Sequence, residues 1–120
     1  MLFPLHIKSI CKKNGFKLTQ LKKDSLFGAV ADLVKKEVFT PKIVCSASYA
    51  VALHELGHLF TWKDKKTRID NELAAWDWAA DNAIIWDDNM AKIRRECLRS
   101  YLESGKYKAP KKKSAIYNLF

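Results

Sequence analysis

The feature that most constrains this chain is a helix-forming run that carries two histidines four residues apart. Residues 47–62 contain no proline and are almost wholly apolar apart from His54, Glu55 and His58. Positions i and i+4 share one face of an α-helix, about 5–6 Å apart at Cβ, so both imidazoles can reach one ion. Glu55 points about 100° around the helix from His54, beside a water on that ion. The spacing predicts a metal-binding helix with a general base next to the metal.

Two histidines on one turn of helix are typical of zinc, and a catalytic zinc site needs a third protein ligand. Glu72 is the preferred third ligand because it lies in the first turn of the next predicted helix, fourteen residues after His58. It belongs to a stripe whose small residues would let the two helices approach closely. The stripe consists of Glu72, Ala75, Trp76, Ala79 and Ala83.

Other acidic residues compete with Glu72 less well. Asp64 stands six residues after His58 and is the second choice, because no glycine lies between them to make a tight turn. Asp77 and Asp81 are expected to be solvated, or to orient a histidine through its other ring nitrogen. His6 is too distant in sequence to be assigned.

The remaining pattern predicts an α+β fold. A short antiparallel sheet of about two or three strands should pack on the metal-motif helix, with two to three further helices around it. Pro41 should break the second strand or place it at an edge, and Ser46 or Ser48 should cap the metal-motif helix. The predicted helices are 2–14, 47–62, Asp70 or Asn71 to about Trp86, and 90–104; the predicted strands are 27–32 and 38–45.

The length of 120 residues, with 48% hydrophobic residues, suits a single domain. Residues 1–105 are predicted to form it, ending at Gly105, and 106–120 to form a basic C-terminal tail. No stretch of eighteen apolar residues suggests a membrane span. Three widely spaced cysteines without a Cys-x-x-Cys pair, and no sign of a signal peptide, favour a reducing, cytoplasmic location.

The net charge of +9 is divided unevenly along the chain. Residues 1–46 carry nine lysines against three acidic residues, 47–88 carry four basic against eight acidic residues, and 89–120 carry nine basic against two. An acidic centre therefore lies between two basic ends. A solvated surface explains the basic ends more simply than a polyanion-binding face, so a nucleic-acid partner is compatible with the charge but is not established by it.

The motif residues resemble a known family. His54-Glu-Leu-Gly-His58, followed by Glu72-x-x-Ala75-x-x-Trp78-Ala79, resembles the ImmA/IrrE family of gluzincin-like zinc metallopeptidases, with its His-Glu-x-x-His and Glu-x-x-Ala-x-x-Phe-Ala patterns. The resemblance covers about residues 45–85, and Trp78 replaces the usual Phe. It implies a zincin-like domain in which His54, His58 and Glu72 bind zinc and Glu55 activates water. Members often act on DNA-binding repressors in bacteria, phages and mobile elements.

The resemblance thus implies a metallopeptidase that cleaves a protein substrate, such as a repressor, by Glu-assisted attack of water. A bound zinc lowers the pKa of its water to about 7. Stabilisation of the oxyanion would need a further group, for which the candidates are Tyr49, Tyr101, Tyr107 and Tyr117. The alternative function is a non-catalytic, metal-containing binding protein that uses its basic ends to hold DNA or a host regulator.

Overall fold

The computed structural model describes residues 2–22 and 28–105, and this part of the chain has an α+β fold. It contains four helices and one three-stranded sheet. In chain order these are α1 (Leu2–Asn14), β1 (Lys17–Gln20), β2 (Val30–Asp32), β3 (Glu37–Thr40), α2 (Ser46–Thr61), α3 (Arg68–Asn82) and α4 (Asp88–Glu103). The predicted α+β class is confirmed, while the predicted tail 106–120 lies outside the described residues.

Helix α1 has the predicted bounds. Ile7 and Cys11, one turn apart, are its buried residues and face the core. Gly15 follows with a φ of +68°, a left-handed conformation that glycine adopts without a steric penalty. The next amide, of Phe16, donates to the carbonyl oxygen of Cys11 at 2.9 Å. Asn14-Gly15 therefore ends the helix as expected.

The sheet is mixed, and the prediction of an antiparallel sheet is wrong for one of its two strand pairs. The strand order is β1-β3-β2, with β2 antiparallel to β3 but β1 parallel to it. The sequence pattern does not predict β1, because Lys17–Gln20 has only one apolar residue. Alternation of apolar residues identifies the faces of a strand but not its direction. The chain passes from one edge strand, β1, to the other, β2, and then enters the centre of the sheet as β3.

Both predicted strands are longer than the observed ones. Strand β3 ends at Thr40, whereas the prediction runs from Val38 to Cys45. Pro41 has no N–H to donate to a neighbouring strand, so it ends the pairing. Strand β2 covers Val30–Asp32 of the predicted 27–32, and residue 27 lies outside the described residues.

Helix α2 is surrounded by the rest of the fold, which explains its apolar sequence. It contacts α1, β2, β3, α3 and α4. Every residue from Ser48 to Leu59 is buried. A helix that is apolar all round is expected only in such a central position. The side chains of His54, Glu55 and His58 therefore lie in the interior.

The N-terminal cap of α2 differs from the prediction. The N-cap residue is Cys45, and Ser46 is already helical. Ser48, in the first turn, accepts the amide N–H groups of Val44 and Cys45 on its Oγ at 2.9 and 3.1 Å. The serine thus satisfies backbone donors before the helix without being the N-cap residue itself.

Helix α3 begins before the predicted cap residues. Thr67 is the N-cap, and its Oγ1 accepts the N–H of Asp70 at 3.1 Å. Asn71, a predicted cap, has another role: its side-chain amide donates to the Lys63 carbonyl and accepts the Lys63 N–H, both at 3.0 Å. These two bonds hold the connection from α2 against the first turn of α3.

Helix α3 also ends earlier than predicted, at Asn82 and not near Trp86. The chain turns away because Ile84 donates its N–H to the hydroxyl of Tyr49 on α2, at 2.9 Å. Asp87 then caps α4 by accepting the N–H of Met90 at 2.9 Å. The sequence pattern predicts that a break separates α3 from α4. The break begins four residues earlier than predicted, where the Tyr49 hydroxyl binds the Ile84 N–H.

Helices α2 and α3 pack with their backbones in close contact at Gly57. A Cβ placed on Gly57 would lie 2.3 Å from the carbonyl oxygen of Ala75. Ala75 and Ala79 are fully buried in this contact region of α3. The small-residue stripe predicted for α3 is thus confirmed, and it brings Glu72 toward α2. No helix in the two described ranges combines the length and the apolar character that crossing a bilayer requires.

Candidate metal centre

His54 and His58 lie on the face of α2 that is turned toward α3. Their ring centroids are 4.6 Å apart, and their residues are only 8% and 6% exposed. The rings lie side by side because the two residues are one helical turn apart. This juxtaposition is the one that the sequence spacing predicts.

Glu72 completes the group from the first turns of α3. Its Oε2 lies 2.7 Å from Nε2 of His54 and 3.1 Å from Nε2 of His58. The glutamate is 1% exposed. Donor atoms of these three residues all lie within 4.8 Å of one another. One carboxylate oxygen and two imidazole nitrogens therefore converge from two helices and could hold a metal ion.

The donor set fits a divalent ion. Two imidazoles and one carboxylate are the ligands of one common class of catalytic zinc site. Zinc with bonds of about 2.0–2.1 Å places tetrahedral ligands about 3.3–3.4 Å apart. The Oε2 of Glu72 stands 2.7 and 3.1 Å from the two nitrogens, and all three donor atoms lie within 4.8 Å of one another, so an ion would require Glu72 to move outward and the nitrogens to adjust their separation.

Electrostatics link the three donors in the absence of an ion. Burial by itself opposes protonation of His54, but the hydrogen bonds and charges of Glu55 and Glu72 outweigh it and raise the pKa of His54 to about 9. Burial likewise opposes ionisation of Glu72, yet the contacts with both histidines hold its pKa far below the usual range. Without a metal, a proton on His54 therefore neutralises the buried carboxylate.

Glu55, the predicted general base, is buried beside the two histidines. It is 8% exposed, and its Oε1 lies 3.3 Å from Nδ1 of His54. This is the ring nitrogen that faces away from Glu72. A carboxylate at this nitrogen can orient the imidazole, and Glu55 is also among the residues that line the adjoining cavity.

A cavity of about 280 Å³ adjoins the three donors. Its walls come from β2, the end of α2, the start of α3 and the last part of α4. It is lined by Ala29, Val30, Ala31, Leu33, His54, Glu55, His58, Trp62, Arg68, Glu72 and Tyr101. The volume is close to the lower end of the range for small-ligand sites. The donors are thus at the wall of a space that a reactant could enter.

The competing acidic residues lie elsewhere. Asp64 is exposed, accepts a hydrogen bond from the indole N–H of Trp62 at 3.1 Å, and is not part of the group of converging donors. Asp77 and Asp81 are exposed on α3, and Asp77 lies 4.0 Å from Arg94. His6 contacts the hydroxyl of Tyr49 through Nδ1 at 2.6 Å. It contributes to the packing of α1 on α2.

Two of the four candidate tyrosines, Tyr49 and Tyr101, lie in the described residues, and they occupy different places. Tyr101 lines the cavity beside the donors. Tyr49 is fully buried in the α1–α2 interface, where its hydroxyl contacts His6 and Ile84. Tyr107 and Tyr117 lie outside the described residues. Tyr101 is therefore the described tyrosine that can meet a reactant in the cavity.

Two residues at the site are absent from the sequence-based candidates. Arg68 donates from Nε to Oε1 of Glu72 at 3.2 Å, and Trp76 stacks on His54 with ring centroids 4.2 Å apart and planes 8° apart. Both are four residues from Glu72 on α3, on either side of it. The i,i+4 spacing of Arg68 and Glu72 can be recognised in the sequence as an ion pair. Such pairs are common on helices, however, and seldom indicate a functional site.

Comparisons with protein-family models, with curated proteins and with solved structures find no match for this chain. The case for a function therefore depends on the geometry of the site and on the motif.

Proposed function

We propose that the chain is a zinc-dependent metallopeptidase, and that its motif reflects membership of the ImmA/IrrE family with a zincin-like domain. One observation carries the proposal. Nε2 of His54, Nε2 of His58 and Oε2 of Glu72 converge at the wall of a cavity that Glu55 also lines. A buried cluster of two imidazoles and two carboxylates is costly for a structural core, and metal-assisted hydrolysis gives it a purpose.

A bound zinc would act as a Lewis acid toward water and a carbonyl oxygen in the cavity. His54, His58 and Glu72 are the residues that would hold it. Glu55 would accept the proton of the attacking water and deliver it to the amide nitrogen that leaves.

Tyr101 is the proposed donor to the developing oxyanion. Burial and the nearby charge of Glu72 raise the pKa of Tyr101 to about 12. The phenol therefore keeps its proton over the working pH range, and to donate to the oxyanion it would exchange its hydrogen bond with Glu72 for one with the reactant. Its position at the cavity wall distinguishes it from Tyr49.

The proposed substrate is a protein segment, with a repressor or another regulatory protein as the class that the resemblance favours. The wall formed by β2 supplies apolar contacts through Val30 and Ala31. Apolar side chains of such a segment would pack against this wall.

The test is cleavage of candidate repressors, above all those encoded beside the gene, by the purified chain after zinc loading. Cleavage that is lost with a chelator and restored by zinc supports the proposal. The variant Glu55→Gln, folded and zinc-loaded, is the negative control. If no candidate is cleaved and the chain instead binds duplex DNA in a strongly salt-dependent manner, the binding-protein alternative is favoured.

A further inference from the structure

The two carboxylate oxygens of Glu72 face different partners. Oε2 faces the two histidines, whereas Oε1 accepts the Nε–H of Arg68 at 3.2 Å. The Glu72 side chain is only 1% exposed, so water cannot readily replace either set of partners. The roles of the two oxygens are therefore set by the protein.

Arg68 is itself held by contacts from three parts of the fold. It precedes Glu72 by one helical turn on α3, which places the two side chains on the same face. Its guanidinium carbon lies 5.5 Å from the ring centroid of Trp62, directly after α2. Tyr101 of α4 interacts with both Arg68 and Glu72. Although its side chain is 48% exposed, Arg68 has a defined position at the cavity wall.

We propose that Arg68 is a positioning residue: by engaging Oε1, it makes Glu72 present Oε2 alone to the metal ion. A carboxylate can bind an ion through one oxygen or through two. A donor fixed on one oxygen favours binding through the other, so a coordination position remains open for water or substrate. This inference rests on the proposed metal centre and adds a residue that the motif does not contain.

The contact between Arg68 and Glu72 differs from an ordinary surface ion pair. Exposed i,i+4 pairs stabilise a helix only slightly, because both partners remain solvated. Here the glutamate is buried and shared with two histidines, so removal of Arg68 takes a charged donor away from a buried oxygen. The effect should appear in metal coordination more than in helix stability.

Metal titrations of the full chain can test the inference with matched variants. Arg68→Met removes the donor and keeps an unbranched apolar side chain, and Arg68→Lys restores the charge. Arg94→Met is the control, because Arg94 also combines an acidic neighbour, Asp77 at 4.0 Å, with a tryptophan ring, Trp86 at 5.3 Å, but lies outside the cavity lining. Affinity for zinc is measured by competition with a chromophoric chelator, and geometry by the visible spectrum of bound cobalt.

We expect Arg68→Met to weaken zinc binding by about 10–100-fold, the usual cost of losing a partner of a metal ligand. Its cobalt spectrum should shift toward higher coordination, with weaker absorption, as Glu72 binds through both oxygens. Arg68→Lys should recover part of the affinity, and Arg94→Met should match the parent chain.

Parent-like affinity and spectrum in Arg68→Met would overturn the inference. So would an Arg68→Lys variant that binds no better than Arg68→Met, since the loss would then come from packing. If Arg68→Met does not fold, Arg68→Leu takes its place, with the same expected loss of affinity; parent-like affinity and cobalt spectrum in Arg68→Leu would overturn the inference. Absence of metal binding by the parent chain would refute the proposed metallopeptidase itself.

Discussion

Gly57 of α2 and the carbonyl oxygen of Ala75 on α3 are so close that a Cβ on Gly57 would lie 2.3 Å from that oxygen. Ala75 is one turn of helix after Glu72, so this contact sets the distance between the histidines of α2 and the glutamate of α3. The obstacle is backbone, which cannot move aside as a flexible side chain can. The geometry of the candidate site therefore depends on a residue that supplies none of its donor atoms.

Gly57→Ala should separate the two helices. Overpacking a well-packed core usually costs about 1–3 kcal/mol, which exceeds the gain of about 1 kcal/mol from replacing a helical glycine by alanine. We expect lower stability in urea denaturation and weaker zinc binding. Gly28→Ala is the control, because its new Cβ would meet only the end of the Leu21 side chain, at 3.3 Å. Equal stability of the two variants would contradict the close backbone packing.

Glu72→Ala should weaken metal retention, because it removes one of three donors. The measurement is zinc per chain after dialysis against a weak chelator, with folding checked by circular dichroism. Asp64→Ala is the matched control, since Asp64 is exposed and lies outside the donor group. Unchanged zinc content in Glu72→Ala would show that another residue is the third ligand.

Glu55→Gln should abolish turnover while zinc remains bound. Loss of a general acid–base typically lowers the rate by about 10²–10⁴-fold. Parallel assays of substrate cleavage and zinc content separate the two effects. Glu96→Gln, on the exposed face of α4, should cleave like the parent chain. Peptidase activity retained by Glu55→Gln would exclude Glu55 as the base.

Tyr101→Phe should lower kcat by about 10²–10³-fold, the usual cost of losing one donor to an oxyanion. Substrate affinity and fold should change little. Tyr49→Phe should show the opposite pattern: it loses the contacts with His6 and Ile84, so it should unfold at lower urea concentration but turn over normally when folded. An unchanged kcat in Tyr101→Phe would show that the phenol does not stabilise the oxyanion.

The metal-free protein should lose stability as the pH rises. The pKa of His54 is raised to about 9 in the folded chain, against 6.5 as its ordinary value. Its contribution is therefore fully present below pH 6.5 and disappears as the pH rises through about 9. At 1.36 kcal/mol per pKa unit this amounts to at most about 3 kcal/mol. Urea denaturation of chelator-treated protein at pH 6 and pH 9.5 measures it, and His54→Asn should remove most of the difference.

Zinc binding should accordingly release protons near neutral pH, because the ion replaces the proton on His54. Calorimetric titrations in two buffers of different ionisation enthalpy give the number released. Close to one proton from His54 is expected at pH 7, and the apparent affinity should rise with pH up to about 9. A binding enthalpy that is independent of the buffer would contradict the linkage.

The sequence predicts the helical part of this fold well, because the signals are local. The 3.6-residue period and Gly15 give α1 its bounds, and the apolar run around His54 gives α2 within one residue at either end. Strand β1 and its parallel pairing with β3 depend on contacts between distant residues, which no local pattern encodes. The early end of α3 likewise depends on the hydroxyl of Tyr49, on another helix.

The three converging donors of the candidate site can also be predicted from the sequence, because spacing along a helix determines which side chains share a face. His54 and His58 follow from one turn of α2, and the stripe of small residues on α3 brings Glu72 to them. The choice of Tyr101 over Tyr49 needs the structure, because α4 reaches the cavity only through tertiary packing. Arg68 is missed because its spacing from Glu72 matches that of many ordinary surface pairs.

The contact between Gly57 and Ala75 also bears on how distant relatives of this chain could be recognised. A larger side chain at Gly57 would force the two helices apart and so disturb the candidate metal ligands. The diagnostic spacing therefore joins chemistry and packing in one signature: His54, Glu55, Gly57 and His58, then Glu72 and Ala75. A relative that keeps the ligands but carries a large residue at the glycine would need a different arrangement of the two helices.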